Sequence, residues 1–413
     1  MFRCITTLKG LVIDIDSFSD IELCEWSDIV NKYKCLFLTS DDNTKDELEE
    51  LYGGESIYKM EKFVKLFAPS PTTHQKVLQK LGLNGTEIAY ISTKIIFLKN
   101  AMNFMGGTIW VTNEIIYNNA SSAPDLICKT FLSLKKSLDK GIEGFLGEVA
   151  IYPSSQNRGM IIPVVFETEE EQWPLYMLGR YFAYSHYMNQ LHPYSTAIYL
   201  NKKVGKSYYG IFNERFSKLY TVVIKKIQSK NRIDGVCSVP VRPHKENRFE
   251  PILDYIAKEC KVENVGKNFV CEKDYSTQKN LSSVERYDNV KDVFKYHGDL
   301  AGKNIVLIDD IISTGSTISA CIKELKNKGA NQIYIVVLAV NQLQGIYWSA
   351  DEIQVCCPRC GEKMHLYVNG RNGSFFYSCF GCNNTIDFEE GRDILCTQVI
   401  EEMIIEKEQS EEV

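Results

Sequence analysis

The sequence predicts an α/β protein with two doubly wound, mainly parallel sheets and a small cysteine-rich β-hairpin module. Three observations support this fold class. Short apolar runs alternate with amphipathic helical stretches over the first third of the chain, and the same alternation returns in the second half. Two CxxC pairs stand near the C-terminus. At 413 residues the chain exceeds one ordinary hydrophobic core, so we expect more than one domain.

The first predicted domain covers residues 1–142. Its candidate strands are "GLVIDID", "CLFLTS", "EIAYIS" and "TIWVT", and a helical stretch such as "TTHQKVLQKLG" lies between two of them. Parallel strands need crossover connections, and helices usually supply them. We therefore expect a parallel sheet covered by helices.

The second predicted domain covers residues 143–350. "GEVAIYP" and "GMIIPVVFE" resemble strands, and the aromatic stretch "WPLYMLGRYFAYSHYMNQL" resembles a helix. The alternation then resumes with the strand "GVCSVPV", a helix in "FEPILDYIAKEC", the strand "NIVLIDD", the helix "STISACIKELKNKG" and the strand "QIYIVVLAV". Residues 351–395 form the cysteine-rich module, and 396–413 form an acidic tail.

Bulk composition limits the classes of partner. Hydrophobic residues make up 44% and charged residues 24%, as in globular proteins, and the formal net charge is −6. This charge argues against a broad non-specific grip on nucleic acid. No apolar run has the length of a membrane span, and the first residues enter a strand pattern without a signal-peptide core. We expect a cytoplasmic protein with no membrane partner.

The stretch "NIVLIDDIISTGSTI" combines two acids with a loop suited to an anion. Backbone amides at a helix N-terminus bind phosphate, and the predicted cradle is Ser313, Thr314, Gly315, Ser316 and Thr317. Asp309 and Asp310 would repel phosphate, so they fit better as acceptors for hydroxyl groups of the same ligand. A sugar phosphate satisfies both demands. The alternative is a strand–turn–helix connection in which an aspartate only caps the helix.

This motif resembles the type I phosphoribosyltransferases. The resemblance implies that the ligand is 5-phosphoribosyl-1-pyrophosphate (PRPP), whose ribose hydroxyls contact Asp309 and Asp310 and whose 5-phosphate lies in the loop. Residues 200–345 are similar to the ComF branch of that family. The segment "PVRPHKENRF" stands where the pyrophosphate loop belongs, and its candidate side chains are Arg242, His244, Lys245 and Arg248. A solvated basic loop is the alternative.

The family resemblance also implies a reaction. A Mg²⁺-dependent phosphoribosyltransferase would move the 5-phosphoribosyl group to a small-molecule or nucleobase-like acceptor and release pyrophosphate, with Asp309, Asp310 and Arg286 as catalytic residues. Ser313 replaces an acidic residue of purine-salvage members, which argues against hypoxanthine or guanine. Two other readings stay open: a non-catalytic PRPP-sensing regulator, and a stress or antiviral-defence effector. The acceptor stays unidentified, and the family often forms homodimers.

The stretch "KGLVIDIDSFSD" places Asp14 and Asp16 at the end of a predicted strand. It resembles the haloacid dehalogenase-like (HAD-like) phosphatases, in which two such acids are the nucleophile and the general acid. Other working residues are missing: Ala68 stands where a lysine is expected, Ser92-Thr93 replaces the expected Gly-Asp pair, and Phe97 replaces an acid. We therefore expect a catalytically inactive domain in which Asp14 and Asp16 are vestigial.

The C-terminal cysteines have zinc-ribbon spacing, with candidate ligands Cys357, Cys360, Cys379 and Cys382. Each CxxC pair can present two thiolates to one tetrahedral Zn²⁺, which makes a structural zinc site the main prediction. Cys356 could replace Cys357, and a redox dithiol is the alternative chemistry. A nucleic acid or a protein is a candidate partner of the ribbon. Phe375, Phe376 and Tyr377 are predicted to pack in its core, with base stacking as the alternative.

Overall fold

The computed structural model describes residues 8–66, 68–104, 106–113, 120–140, 144–151, 159–168, 171–275, 289–290, 292–343 and 354–395. The strands are β1 (Gly10–Asp14), β2 (Lys34–Thr39), β3 (Ile57–Lys59), β4 (Ile88–Ser92), β5 (Gly107–Val111), β6 (Leu126–Cys128), β7 (Ile162–Glu167), β8 (Gln172–Met177), β9 (Arg180–Tyr181), β10 (Gly235–Ser238), β11 (Glu263–Asn264), β12 (Phe269–Cys271), β13 (Phe294–Tyr296), β14 (Asn304–Ile312), β15 (Gln332–Asn341), β16 (Met364–Val368), β17 (Phe375–Cys379) and β18 (Thr385–Asp387).

The α-helices are α1 (Ser27–Val30), α2 (Asp42–Tyr52), α3 (Lys62–Leu66), α4 (Pro71–Leu81), α5 (Ile95–Met102), α6 (Phe131–Asp139), α7 (Leu146–Ile151), α8 (Pro193–Leu200), α9 (Asn213–Gln228), α10 (Glu250–Cys260) and α11 (Ser316–Asn327). Short 3₁₀ turns, such as Tyr187–Leu191, connect some of them. Within the described ranges, no helix combines the length and the apolar character needed to cross a bilayer.

The first sheet has the order β3-β2-β1-β4-β5-β6, and all its strand pairs are parallel. Every residue of β1, β4 and β5 is buried. Strands buried on both faces are typical of parallel sheets with helices on each side. The sheet confirms the predicted α/β class.

The second sheet has the order β11-β10-β14-β15-β8-β7, and β9 also pairs with β15. Its pairs are parallel except for the antiparallel pair β7–β8. The long central strands β14 and β15 are buried between β10 and β8. Because parallel strands end at the same edge of the sheet, residues after β10 and late in β14 are brought together there.

Two sequence predictions for the start of this region are wrong. The stretch around Trp173 was expected to be helical, but it forms β8, in which Leu175 and Met177 pair with β15. The stretch "GEVAIYP" was expected to be a strand, but Leu146–Ile151 forms α7. The Glu148 carboxylate of α7 accepts hydrogen bonds from the backbone amide and the guanidinium of Arg180, which lies in a distant segment of the chain. Tertiary contacts therefore override local propensity in both places.

The last sheet, β16-β17-β18, is antiparallel and packs on the second sheet's helices. Its inward side chains belong to the same buried core as residues of α8 and α9. Phe375 stacks on Phe212 with ring centroids 6.2 Å apart. The Leu366 amide donates to the Gln190 side chain at 2.9 Å. The cysteine-rich module is thus joined to the second sheet by a continuous hydrophobic core.

Candidate functional site

Strand β14 and helix α11 frame the predicted sugar-phosphate motif. The strand is longer than expected, because its pairing with β15 continues past the acids to Ile312. Gly315 is the N-cap of α11 and has a left-handed backbone, with φ of +83°. A Cβ at this position would lie 2.5 Å from the Phe166 ring, so a glycine fits both the turn and the space.

The loop of residues 313–317 has the features of an anion cradle. Gly315 has no side chain to cap the first-turn amides, and such amides point along the positive end of the helix dipole. The hydroxyls of Thr314 and Ser316 are 3.1 Å apart, and Ser316 is buried whereas Ser313 and Thr314 are exposed. The loop therefore offers amides and hydroxyls at one edge of the sheet. A role in phosphate binding stays a prediction.

Asp309 and Asp310 have different electrostatic surroundings. The Asp310 carboxylate forms ion pairs with Arg248 and, at 2.9 Å, with Lys202. Burial alone would raise the pKa of Asp310, but these two cations outweigh it and hold the pKa below its usual range. Burial and the neighbouring charge of Asp310 raise the pKa of Asp309. Of the two, Asp310 is the carboxylate held in its charged form.

A cavity of about 350 Å³ brings several predicted residues together. Asp309, Thr317, Arg242, Lys245 and Arg248 line it, and its other walls come from nearby loops. This volume is in the range of small-molecule sites. A neighbouring cavity of about 420 Å³ is lined by Arg242 and Lys245 and also by His244, whose φ is +64°. The predicted pyrophosphate loop thus borders the predicted sugar-phosphate motif. Arg286 lies outside the described residues.

Lys202 is a site residue that sequence reasoning missed. It follows α8, lines the cavity and contacts Asp310. Tyr275 was also missed; its ring lies 5.3 Å below the Arg242 guanidinium in the same cavity. Both residues come from segments far from β14 in the chain, and an isolated lysine or tyrosine gives no local signal of such a contact.

Asp14 and Asp16 lie at the end of β1 and share one lysine. The Lys65 ammonium is 3.0 Å from Asp14 Oδ1 and 2.6 Å from Asp16 Oδ2. The Ser92 hydroxyl donates to Asp14 at 2.7 Å, and the Ser40 amide donates to Asp16 at 2.9 Å. Although burial alone would raise the pKa of Asp16, Lys65 and the other donors lower it. The single charge of Lys65 therefore offsets part of the negative charge of the two acids, and hydrogen bonds from neutral donors stabilise them further.

Lys65 corrects one inference from the sequence. A lysine was counted as missing because Ala68 occupies the expected position, and Ala68 is indeed buried. The structure supplies a lysine to both acids from α3, three residues earlier in the chain. The sequence motif did not identify Lys65, because this lysine lies three residues before the position at which the motif places one. Thr93 and Phe97 stand where acids were expected, as the sequence indicated.

The four candidate zinc ligands converge. The Sγ atoms of Cys357, Cys360, Cys379 and Cys382 all lie within 4.8 Å of one another, and the four are free thiols. A tetrahedral Zn²⁺ with Zn–S bonds of about 2.3 Å places sulfurs roughly 3.8 Å apart. The distances Cys357–Cys382 and Cys360–Cys379 are 3.6 and 3.5 Å. Cys356 is not part of the cluster, so the predicted CxxC pairing is the one that the fold uses.

Comparisons with known proteins point to the same region of the chain. The family described as "phosphoribosyl transferase domain" matches residues 247–358. Ribose-phosphate pyrophosphokinase from Thermoplasma acidophilum is 46% identical over 74 residues, which are 17% of this chain and 26% of that protein. The Nostoc sp. protein of the same name is 50% identical over 46 residues, 11% of this chain and 14% of that protein.

A second kind of relative matches as well. Amidophosphoribosyltransferase from Rattus norvegicus is 38% identical over 85 residues, 21% of this chain and 15% of that protein. The alignment with the solved structure of Leishmania donovani UMP synthase covers 81% of this chain at 11% identity. Its TM-score of 0.20 is too low to indicate a shared overall fold. The chain spans about a quarter or less of the curated relatives named here. Within these limits, residues 247–358 are similar to the phosphoribosyl transferase domain family.

Proposed function

We propose that the site at the end of β14 binds PRPP and transfers its 5-phosphoribosyl group to an acceptor with release of pyrophosphate. The observation that carries this proposal is that three complementary groups each contribute to one cavity, through Asp309, through Thr317 and through the basic residues Arg242 and Lys245. Asp309 and Asp310 suit ribose hydroxyls, residues 313–317 suit the 5-phosphate, and the basic loop suits the pyrophosphate. The matched family and the partial relatives support the same ligand class.

The proposed chemistry needs orientation and charge stabilisation more than reactive side chains. The bond from ribose C1 to the pyrophosphate oxygen breaks, the acceptor bonds to C1, and pyrophosphate leaves with the bonding electrons. Arg242 and Lys245, which line the cavity, would stabilise this negative charge. Asp309 and Glu246 line the same cavity and offer the oxygen ligands that Mg²⁺ prefers. Mg²⁺ would lower the charge on the pyrophosphate.

The other parts of the chain would then support this site. We assign residues 143–350 to the transferase domain, with its ComF-like features, and residues 1–142 to an inactive HAD-like domain. Thr93 and Phe97 support inactivity, since they stand where the HAD-like resemblance expects carboxylates and cannot supply the oxygen ligands of a Mg²⁺ site. The thiol cluster of residues 351–395 supports a structural Zn²⁺. Residues 396–413 are proposed as an acidic tail.

Pyrophosphate release tests the transfer. Purified protein with PRPP and Mg²⁺ is incubated with purine and pyrimidine bases and with simple amines, and pyrophosphate is measured over time. Acceptor-dependent release is expected, with hypoxanthine and guanine as poor acceptors because Ser313 is not acidic. If the protein binds PRPP but releases no pyrophosphate with any of the acceptors, the result would instead favour the PRPP-sensing regulator. Failure of well-folded protein to bind PRPP would contradict both functions.

A further inference from the structure

The β16–β18 sheet has one face in the core and leaves aromatic rings on the other. His365, Tyr367 and Phe376 alternate with buried neighbours and are half-buried on this outer face. Phe380, in the second cysteine knuckle, is 68% exposed. Its ring centroid lies 5.3 Å from that of His365 and 6.0 Å from that of Tyr367, which is 6.2 Å from Phe376. The rings are therefore contiguous.

The aromatic surface continues onto α8, which packs against β16. Tyr199 on this helix is 44% exposed, and the Lys203 ammonium lies 4.0 Å from its ring centroid. Burial and the nearby phenols of Tyr208 and Tyr199 raise the pKa of Tyr367, as expected for close neighbours. We call the surface made by Tyr199, Lys203, His365, Tyr367, Phe376 and Phe380 the ribbon aromatic face.

The charge around the ribbon aromatic face is positive on the side of α8. Residues 199–209 contain three lysines and no acidic residue. Burial lowers the pKa of His365, and the nearby positive charge of Lys363 lowers it further. Acidic side chains lie at the rest of the border: Asp387 of β18 pairs with Phe376 and is exposed, and Glu362 lies beside Gly381, which follows Phe380. The rings thus border cations on one side, as a polyanion would require.

We propose that the ribbon aromatic face binds single-stranded nucleic acid. Its exposed rings would stack on unpaired bases, and Lys203 and Lys206 would contact the phosphates. A protein partner fits less well, because lysine is depleted from protein–protein interfaces. Lys202, Val204 and Tyr209 of the same segment line the candidate PRPP cavity, so a bound strand would lie beside that cavity. The proposal does not depend on PRPP binding.

Fluorescence anisotropy tests this proposal with the full chain. Labelled single strands of about 16 thymidines or uridines are titrated between about 50 and 200 mM salt, beside a duplex of the same length. Single strands are expected to bind more tightly than the duplex. Phe380→Ala should weaken binding about 5- to 100-fold. Lys203→Gln should reduce the slope of log affinity against log salt by about 0.7.

Further variants separate surface contacts from damage to the fold. Phe380 lies between two candidate zinc ligands, so its replacement could disturb the thiol cluster as well as the surface. Tyr199→Ala changes the same face from α8, away from the cluster, and should also weaken binding. Phe63 is 71% exposed on α3, and Phe63→Ala and Lys76→Gln serve as controls that should bind as the wild type does. Absence of single-strand binding, equal duplex affinity, or unchanged affinity in both Phe380→Ala and Tyr199→Ala would overturn the proposal.

Discussion

At the scale of single residues, Asp309 and Asp310 are neighbours with opposite pKa shifts. Asp310 is 8% exposed and is held ionised by Arg248 and Lys202. Burial and that adjacent charge raise the pKa of Asp309, so the two carboxyl groups do not ionise equally. In the proposed complex, Asp310 is the anionic acceptor for a ribose hydroxyl. Asp309, when protonated, can also donate a hydrogen bond.

The Lys202 contact predicts a pH effect on PRPP binding. Binding should require ionised Asp310 and should weaken as the pH falls through the pKa of that group. Lys202→Met removes one of the two cations that lower this pKa, so the pKa rises. In the wild type Asp310, with a pKa of about 2, should stay ionised from pH 4 to pH 8, whereas in Lys202→Met the loss of PRPP affinity at low pH should move upward toward this range. Calorimetric titrations from pH 4 to pH 8 measure it, with the exposed Lys230→Met as the control. Coincident acid limbs for Lys202→Met and the wild type would contradict this role.

At the scale of elements, the turn between β14 and α11 depends on Gly315. Gly315→Ala should cost about 1–3 kcal/mol in the free energy of unfolding and should weaken PRPP binding, because φ is positive and the Phe166 ring lies 2.5 Å from the new Cβ. Gly302→Ala is a matched control, since its φ is +70° but its Cβ would meet nothing within 4 Å. Urea unfolding measures the free energy of unfolding of the two variants and of the wild type. Equal costs would show that the ring contact does not matter.

The cysteine-rich element offers a direct test of its proposed metal. Cys360→Ser should lower the zinc content from about one ion per chain to below one half, because one of four thiolate ligands is lost. Cys356→Ser should retain the ion, since its thiol is outside the cluster. Elemental analysis of dialysed protein measures both. Equal zinc content in the two variants would argue against the four-thiolate site.

Much of the element pattern could be predicted from the sequence. Strand–helix alternation and the CxxC spacing are local signals, and they predicted the parallel sheets and the thiol cluster correctly. The stretch at Trp173 failed because its aromatic residues suit a strand or a helix, and pairing with β15 decides between them. Lys65 and Lys202 were missed for a related reason. Lys65 contacts Asp16 and Lys202 contacts Asp310 through tertiary contacts between segments that are far apart in the sequence.

At the scale of the whole molecule, a buried polar network joins the first and second sheets. The Arg180 guanidinium is 2.6 Å from Asp125, which precedes β6, and 2.9 Å from Glu148 of α7. All three side chains are about 1% exposed. The Gln342 side chain adds bonds to the backbone of Ala120 and Ala123. These contacts make the packing of the two sheets specific.

Removing the shared cation should destabilise the whole molecule. Arg180→Met removes the shared cation from two buried carboxylates and should reduce the free energy of unfolding by about 3–5 kcal/mol. Urea unfolding followed by fluorescence and by circular dichroism measures it. The exposed Arg215→Met is the control and should change stability little. A loss below about 1 kcal/mol for Arg180→Met would show that the network does not hold the sheets together.

PRPP binding by Asp309→Asn/Asp310→Asn tests the central claim most directly. Calorimetric titration with PRPP and Mg²⁺ should show binding to the wild type and at least about 100-fold weaker binding to the double variant, because two hydrogen-bond acceptors for the ribose lose their charge. Asp16→Asn, at the end of the other sheet's β1, should bind as the wild type does. Unchanged affinity in a well-folded double variant would contradict the account.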